Sequence, residues 1–390
     1  MFTALLVIIY ISFISLGLPD ALLGSAWPSM YRELNVPVSY AGIISMIISG
    51  GTIISSLFSH RVIKKLGTGK VTVISVAMTA AALFGFSISN SFYLLCLWAI
   101  PYGLGAGSID AALNNFVALH YKSRHMSWLH CFWGIGATIG PYIMGYYLTG
   151  GRTWNSGYRI ISIMQIALTA VLIFSLPLWK QANSEVSEDK KEGKSKSLTI
   201  KELIKLTGAK PTLIAFFCYC ALEQTTGLWA ASYMVMNRGI GKEMAATWAS
   251  LFYLGITGGR FISGFITLKL KDKDMVRLGQ TVAAIGIVIL LLPLGNIGLV
   301  SGLILIGLGC APIYPSLLHA TPDNFGPELS QAIMGMQMAS AYIGSTFMPP
   351  FFGLIAEHIS IKMYPIFLVI ILLTMVGMSE KLNKLRAKAA

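Results

Sequence analysis

Apolar residues in this chain gather into long runs separated by short polar connections, with no strict alternation anywhere of the kind that marks a half-buried strand. A helix needs about 20 mostly apolar residues to cross a bilayer. On that length the chain divides into twelve predicted spanning helices: 3–27, 38–58, 70–89, 92–117, 127–149, 158–179, 210–236, 244–266, 277–293, 296–318, 330–355 and 362–380. The first run starts without a basic leader and continues past Asp20 to Trp27, which predicts a retained first span and not a cleaved signal segment. One connection is long. Residues 181–209 concentrate charge of both signs between an amino-terminal six-helix half, 1–180, and a carboxy-terminal half with a short basic tail, 210–390. Within that linker SLTIKELIKL has the pattern of a short amphipathic helix lying on a membrane surface.

Composition agrees with this reading and narrows it. Hydrophobic residues make up 55% of the chain and charged residues only 12%, about half the charge that covers a water-soluble domain. The fold class predicted is therefore an all-α membrane protein. The net charge of +13 does not point to nucleic acid, because the basic residues sit in blocks between spans and carry no recognition motif. With both termini placed in the cytoplasm, 22 Lys and Arg fall on inner segments. Six fall outside: Arg32, Arg152, Arg159, Arg238, Lys242 and Lys362. The positive-inside rule then fixes the orientation and predicts a plasma (inner) membrane protein with its lipid bilayer as partner. The five cysteines all lie within apolar segments and read as small core residues.

The two halves echo each other. GLGAGSIDAALNN begins at Gly103 and GLGCAPIYPSLL at Gly307, 204 positions on; Gly140 and Gly344 keep that offset. Asp20 followed by Gly24, and Glu223 followed by Gly227, repeat an acidic-x-x-x-Gly pattern at 203. Parallel six-helix repeats about an axis normal to the membrane are the build of major facilitator transporters. GIGATIGP at 134–141 suits close helix approach, with a bend expected before Pro141. Pro312 and Pro315 predict a discontinuity in the tenth span.

An ionisable side chain deep in a span costs a few kcal/mol on the lenient insertion scale and marks a functional position. Asp20, Asp110 and Glu223 are such groups, and none has a Lys or Arg three or four residues away. They are the candidates for reversible proton binding. Around them lie Asn114, Asn115, His130, Trp133, Gln165, Gln224, Trp229, Tyr253, Tyr314 and Gln337. Amides match vicinal hydroxyls with paired donors and acceptors, and aromatic faces cover C–H patches, so this set suits a sugar. The same residue types also serve as interfacial belts and interhelical glue, and both readings stand at this level. His130 and Cys131 are adjacent on a helix and do not face one another. No metal or cofactor is predicted. His319 and Asp323, expected in a loop after the tenth span, are the nearest approach to an acid–base pair of an enzyme, and no enzyme is predicted from them.

The motifs resemble one group. GLGAGSIDAALNN is similar to the fourth-helix signature of the fucose permease family of the major facilitator superfamily, with Asp110 at its acidic position, Asn114 at its amide and Ala111 where threonine is usual. WLHCFWGIGATIGP, 128–141, resembles that family's fifth helix, and GLGCAPIYPSLL its tenth. Asp20 is placed like the family's first-helix carboxylate. SHRVIKKLGTGKV resembles the superfamily's cytoplasmic loop, with Arg61, Gly67 and Lys70 in register but Ser59 or His60 near the place of the usual acid. GGRFISGF looks like its counterpart in the second half, which would put Arg260, like Arg61, at an inner gate. The resemblance implies symport of a monosaccharide by alternating access, commonly with a proton and in some relatives with sodium; a monomer is expected. An exporter working by proton antiport is the alternative within the class.

Overall fold

The computed structural model describes residues 2–387 apart from 21, 38–39, 188–197 and 241, so the centre of the charged linker lies outside the described residues. Every regular element among them is helical. The helices are α1 (Phe2–Gly17), α2 (Leu22–Glu33), α3 (Ala41–Leu66), α4 (Thr68–Ile88), α5 (Phe92–His120), α6 (Ser123–Thr149), α7 (Trp154–Ser187), α8 (Ile200–Lys205), α9 (Ala209–Arg238), α10 (Lys242–Ile266), α11 (Asp272–Leu291), α12 (Gly295–His319), α13 (Thr321–Phe325), α14 (Pro327–Ile355) and α15 (Tyr364–Ala387). Nine described stretches are long and apolar enough to cross a membrane, and one of them, Pro327–Ala387, contains both α14 and α15. With α6 and α9, whose polar side chains dilute their apolar runs, the twelve expected spans are all present.

Three expectations are corrected. The first span is two helices, α1 and α2, with a turn between them. The cause is Pro19, which has no N–H to give to the carbonyl of Ser15 four residues back. In a bilayer that freed carbonyl needs another donor, and Gln165 on α7 supplies it: Gln165 Nε2 donates to Ser15 O at 2.6 Å, and Ser15 Oγ donates to Gln165 Oε1 at 2.5 Å. Conversely, α12 runs unbroken through Pro312 and Pro315, as α6 does through Pro141. His319 and Asp323 are not loop residues: His319 ends α12, and Asp323 lies in α13. The surface helix is short, α8, closed at its start by a reciprocal capping box between Thr199 and Glu202.

The chain forms two compact units, one of Met1–Phe116 with Phe132–Ser197, the other of Val117–Cys131 with Leu198–Ala390. The repeat seen in the sequence is a repeat of contacts within each. A Cβ added at Gly103 would lie 2.2 Å from Ile48 O; one added at Gly307 would lie 2.2 Å from Phe252 O. Gly105 abuts Ser75 O and Thr79 Oγ1, while Gly309 abuts Gly279 O and the backbone of Ala283. Every one of these partners is 204 residues from its counterpart. Helix α5 therefore packs on α3 and α4 as α12 packs on α10 and α11, backbone against backbone, through the small residues that the absence of a hydrophobic drive within lipid demands.

Candidate functional site

In the first unit the break after α1 presents Asp20. Trp133 Nε1 donates to Asp20 Oδ2 at 2.8 Å, and Tyr102 Oη donates to Asp20 Oδ1 at 3.3 Å. The carboxylate is exposed, whereas the Tyr102 ring is buried. Close approach of α1 to α6 makes the Trp133 contact possible: a Cβ at Gly136 would lie 2.0 Å from Ile14 O. Tyr102 carries no sequence signal of its own beyond standing eight residues before Asp110 on α5.

Those eight residues put Asp110 about 12 Å further along α5. It is buried, as are Asn114 and Asn115. Asn114 Nδ2 donates to Asp110 Oδ1 at 2.7 Å and to Asp110 O at 2.9 Å, the i, i+4 geometry of one helical turn. Asp20 thus meets an indole and a phenol donor, and Asp110 meets the amide one turn along its own helix.

The second unit is built differently. Arg260 on α10 reaches Glu223 on α9, with Nη2 at 3.6 Å from Oε1, and both are buried. Arg260 Nη2 also lies 3.5 Å from Tyr219 Oη. The Tyr219 ring packs against Tyr314 at 5.4 Å between centroids, and Tyr314 receives the edge of His130 at 4.9 Å. Glu223, Arg260, Tyr219, Tyr314 and His130 thus form one continuous polar and aromatic cluster. Its ion pair is long-range in sequence, so spacing along one helix could not reveal it. The repeated acidic-x-x-x-Gly pattern also diverges here: Asp20 lies at a helix break, Glu223 in the middle of a helix.

The remaining candidates are not gathered with these. Both polar ends of the Gln165 amide are engaged by Ser15. Gln337 is buried and accepts from Thr321 Oγ1 at 3.0 Å. Trp229 Nε1 donates to Pro349 O at 2.9 Å, and its ring packs on Phe352. Gln224 is exposed; Tyr253 is the exception, about half exposed but with its hydroxyl against Gly227 on α9, one turn from Glu223. Arg61 is exposed at the end of α3, its guanidinium 5.6 Å from the Phe58 ring centre. Among the described residues no three His, Cys, Asp or Glu side chains come together as a metal site would require.

The model of the Major Facilitator Superfamily matches residues 9–336 and 212–382. Bypass of stop codon protein 6 of Saccharomyces cerevisiae is 24% identical over 68% of this chain, a match that spans 57% of the yeast protein's own length. The glucose/mannose transporter GlcP of Bacillus subtilis is 24% identical over 79% of this chain and 77% of GlcP. Among solved structures, FucP, the fucose:proton symporter of E. coli, in its outward conformation superposes with a TM-score of 0.80 at 15% identity, over 96% of this chain and 97% of FucP.

Proposed function

Because the chain belongs to the major facilitator superfamily and is a transporter, we propose that it carries a monosaccharide together with a proton by alternating access. The observation that supports this most directly is the Asp20 site. Trp133 Nε1 can only donate, whereas a phenol both donates and accepts. A proton arriving on Oδ1 is therefore accommodated when the Tyr102 hydroxyl turns from donor to acceptor, while Oδ2 keeps its indole bond. The carboxyl keeps both partners in both charge states, which suits a group that must load and unload a proton reversibly. Asp110 with Asn114 presents a carboxyl and an amide side by side, the pairing that grips vicinal hydroxyls. Glucose, mannose and fucose, the solutes in the names of GlcP and FucP, support the solute class. The Lys and Arg bias supports a plasma-membrane protein with both termini on the cytoplasmic side.

Coupling requires that proton and solute each bind one conformation better than the other. The test is uptake of labelled D-glucose, D-mannose and L-fucose into proteoliposomes under an inward proton gradient or an inward sodium gradient. Accumulation under the proton gradient, lost in Asp20→Asn while solute exchange persists, is expected. Accumulation under sodium alone would replace the proton by sodium, and outward movement of solute against its gradient would replace uptake by export.

A further inference from the structure

Away from the site, four helix ends meet within the second unit. His319 is the last residue of α12 and Asp272 the first of α11. Tyr121 follows the last turn of α5, and Ser123 opens α6. His319 Nδ1 lies 2.6 Å from Asp272 Oδ2, and His319 Nε2 lies 3.1 Å from the main-chain oxygen of Tyr121. The other Asp272 oxygen accepts from Ser123 Oγ.

The tautomer follows from the partners. A main-chain carbonyl can only accept, so Nε2 carries a hydrogen. A carboxylate facing Nδ1 at 2.6 Å also needs a hydrogen between the two. A neutral imidazole has one N–H and would leave one contact as lone pair against lone pair. The ring that satisfies both is the imidazolium. The helix ends favour the same charges: a cation at the carboxy terminus of α12 and an anion at the amino terminus of α11. The carbonyl of Tyr121, just past the last turn of α5, takes its hydrogen bond from this ring.

We propose that His319, as an imidazolium, is the positioning residue that clamps the segment Val117–Cys131 onto the second unit, and that loss of its proton releases that segment. The segment meets its neighbours through Tyr121 O on His319, Ser123 on Asp272, the Trp128 ring on Phe265 at 5.7 Å, the His130 ring on Tyr314 at 4.9 Å and Cys131 Sγ at Thr257 O. Only the first depends directly on the proton, and it also orients the second through Asp272. Because the charged form makes the contacts, the clamp holds at low pH and opens as pH rises through the titration of His319. The titratable neighbours are Asp272 and, in α13, Asp323; Lys122, Arg124 and His125 lie on the segment, and Lys271 precedes Asp272. On the orientation proposed above this end faces the cytoplasm, so an alkaline interior would free the connection between the fourth and fifth spans.

Amide hydrogen exchange over 117–131 tests this in the native chain, with each rate divided by its intrinsic value at that pH. Wild type should lose protection at least tenfold between pH 6 and pH 9. His319→Arg keeps the charge and should stay protected at both values; His319→Gln should be unprotected at both. His125→Gln and Asp323→Asn should keep the wild-type profile. Exchange does not depend on a solute being carried, so a wrong sugar leaves this result intact. Equal protection at both pH values in wild type, or a pH profile surviving in His319→Arg, would overturn the proposal.

Discussion

The repeated backbone contacts lend themselves to a controlled perturbation, Gly103→Ala and Gly307→Ala, set against Gly50→Ala. Ordinary contact between a carbon and a carbonyl oxygen is about 3.3 Å. A Cβ at Gly103 would stand 2.2 Å from Ile48 O, and one at Gly307 2.2 Å from Phe252 O. Each methyl therefore demands that two helices part by about 1 Å. The obstructing atom is main chain, so no side chain can turn aside. Overpacking of this kind costs about 1–3 kcal/mol. Gly50, inside α3 two residues beyond Ile48, has nothing within 4 Å of its added Cβ. Alanine there removes the helix penalty of glycine, about 1 kcal/mol, and should stabilise. For units of this size a kcal/mol moves the unfolding midpoint by roughly 2–4 °C. The two contact variants should thus melt about 2–12 °C below wild type in detergent, by similar amounts, and Gly50→Ala slightly above it. If Gly103→Ala and Gly307→Ala melted with Gly50→Ala, the equivalence of the two helix pairs would be wrong.

Further expectations follow from single contacts. Glu223→Gln should destabilise by about 3–5 kcal/mol, because it removes one partner of a buried ion pair and leaves the Arg260 charge in place; the double variant Glu223→Gln with Arg260→Met, which removes both charges, should cost less. Thermal unfolding midpoints of the two in detergent check the asymmetry. Gln165→Ala should cost about 1–3 kcal/mol by stripping the Ser15 carbonyl of its donor. Adding Pro19→Ala, which restores a main-chain N–H to that carbonyl, should recover part of the loss, a coupling that a double-mutant cycle of melting midpoints measures. Thr199 main-chain and side-chain hydrogen bonds hold the Glu202 carboxyl below the usual range. Its contribution to α8 is therefore present above the ordinary carboxylate value and lost as pH falls through the depressed one; hydrogen exchange of 198–206 should rise there in wild type and be insensitive to pH in Glu202→Gln.

The spanning helices and the 204-residue repeat were legible in the sequence because each rests on local composition or on a fixed offset. Apolar length alone makes a spanning helix, and a duplicated segment keeps its spacing. Asp20, Asp110 and Glu223 stood out for the same reason, as charges in segments that otherwise exclude them. What each acid touches was not legible. Asp20 meets Tyr102 and Trp133 from two other helices, Asp110 is bridged within its own turn, and Glu223 is met by Arg260 from the next helix. Gln165 read equally as a solute ligand or as a link between helices, and only the fold showed it bonded to the carbonyl that Pro19 had opened. Composition records which groups a membrane must accommodate; packing alone decides which neighbour does so, because hydrogen bonds between helices obey distances in space and not spacing along the chain.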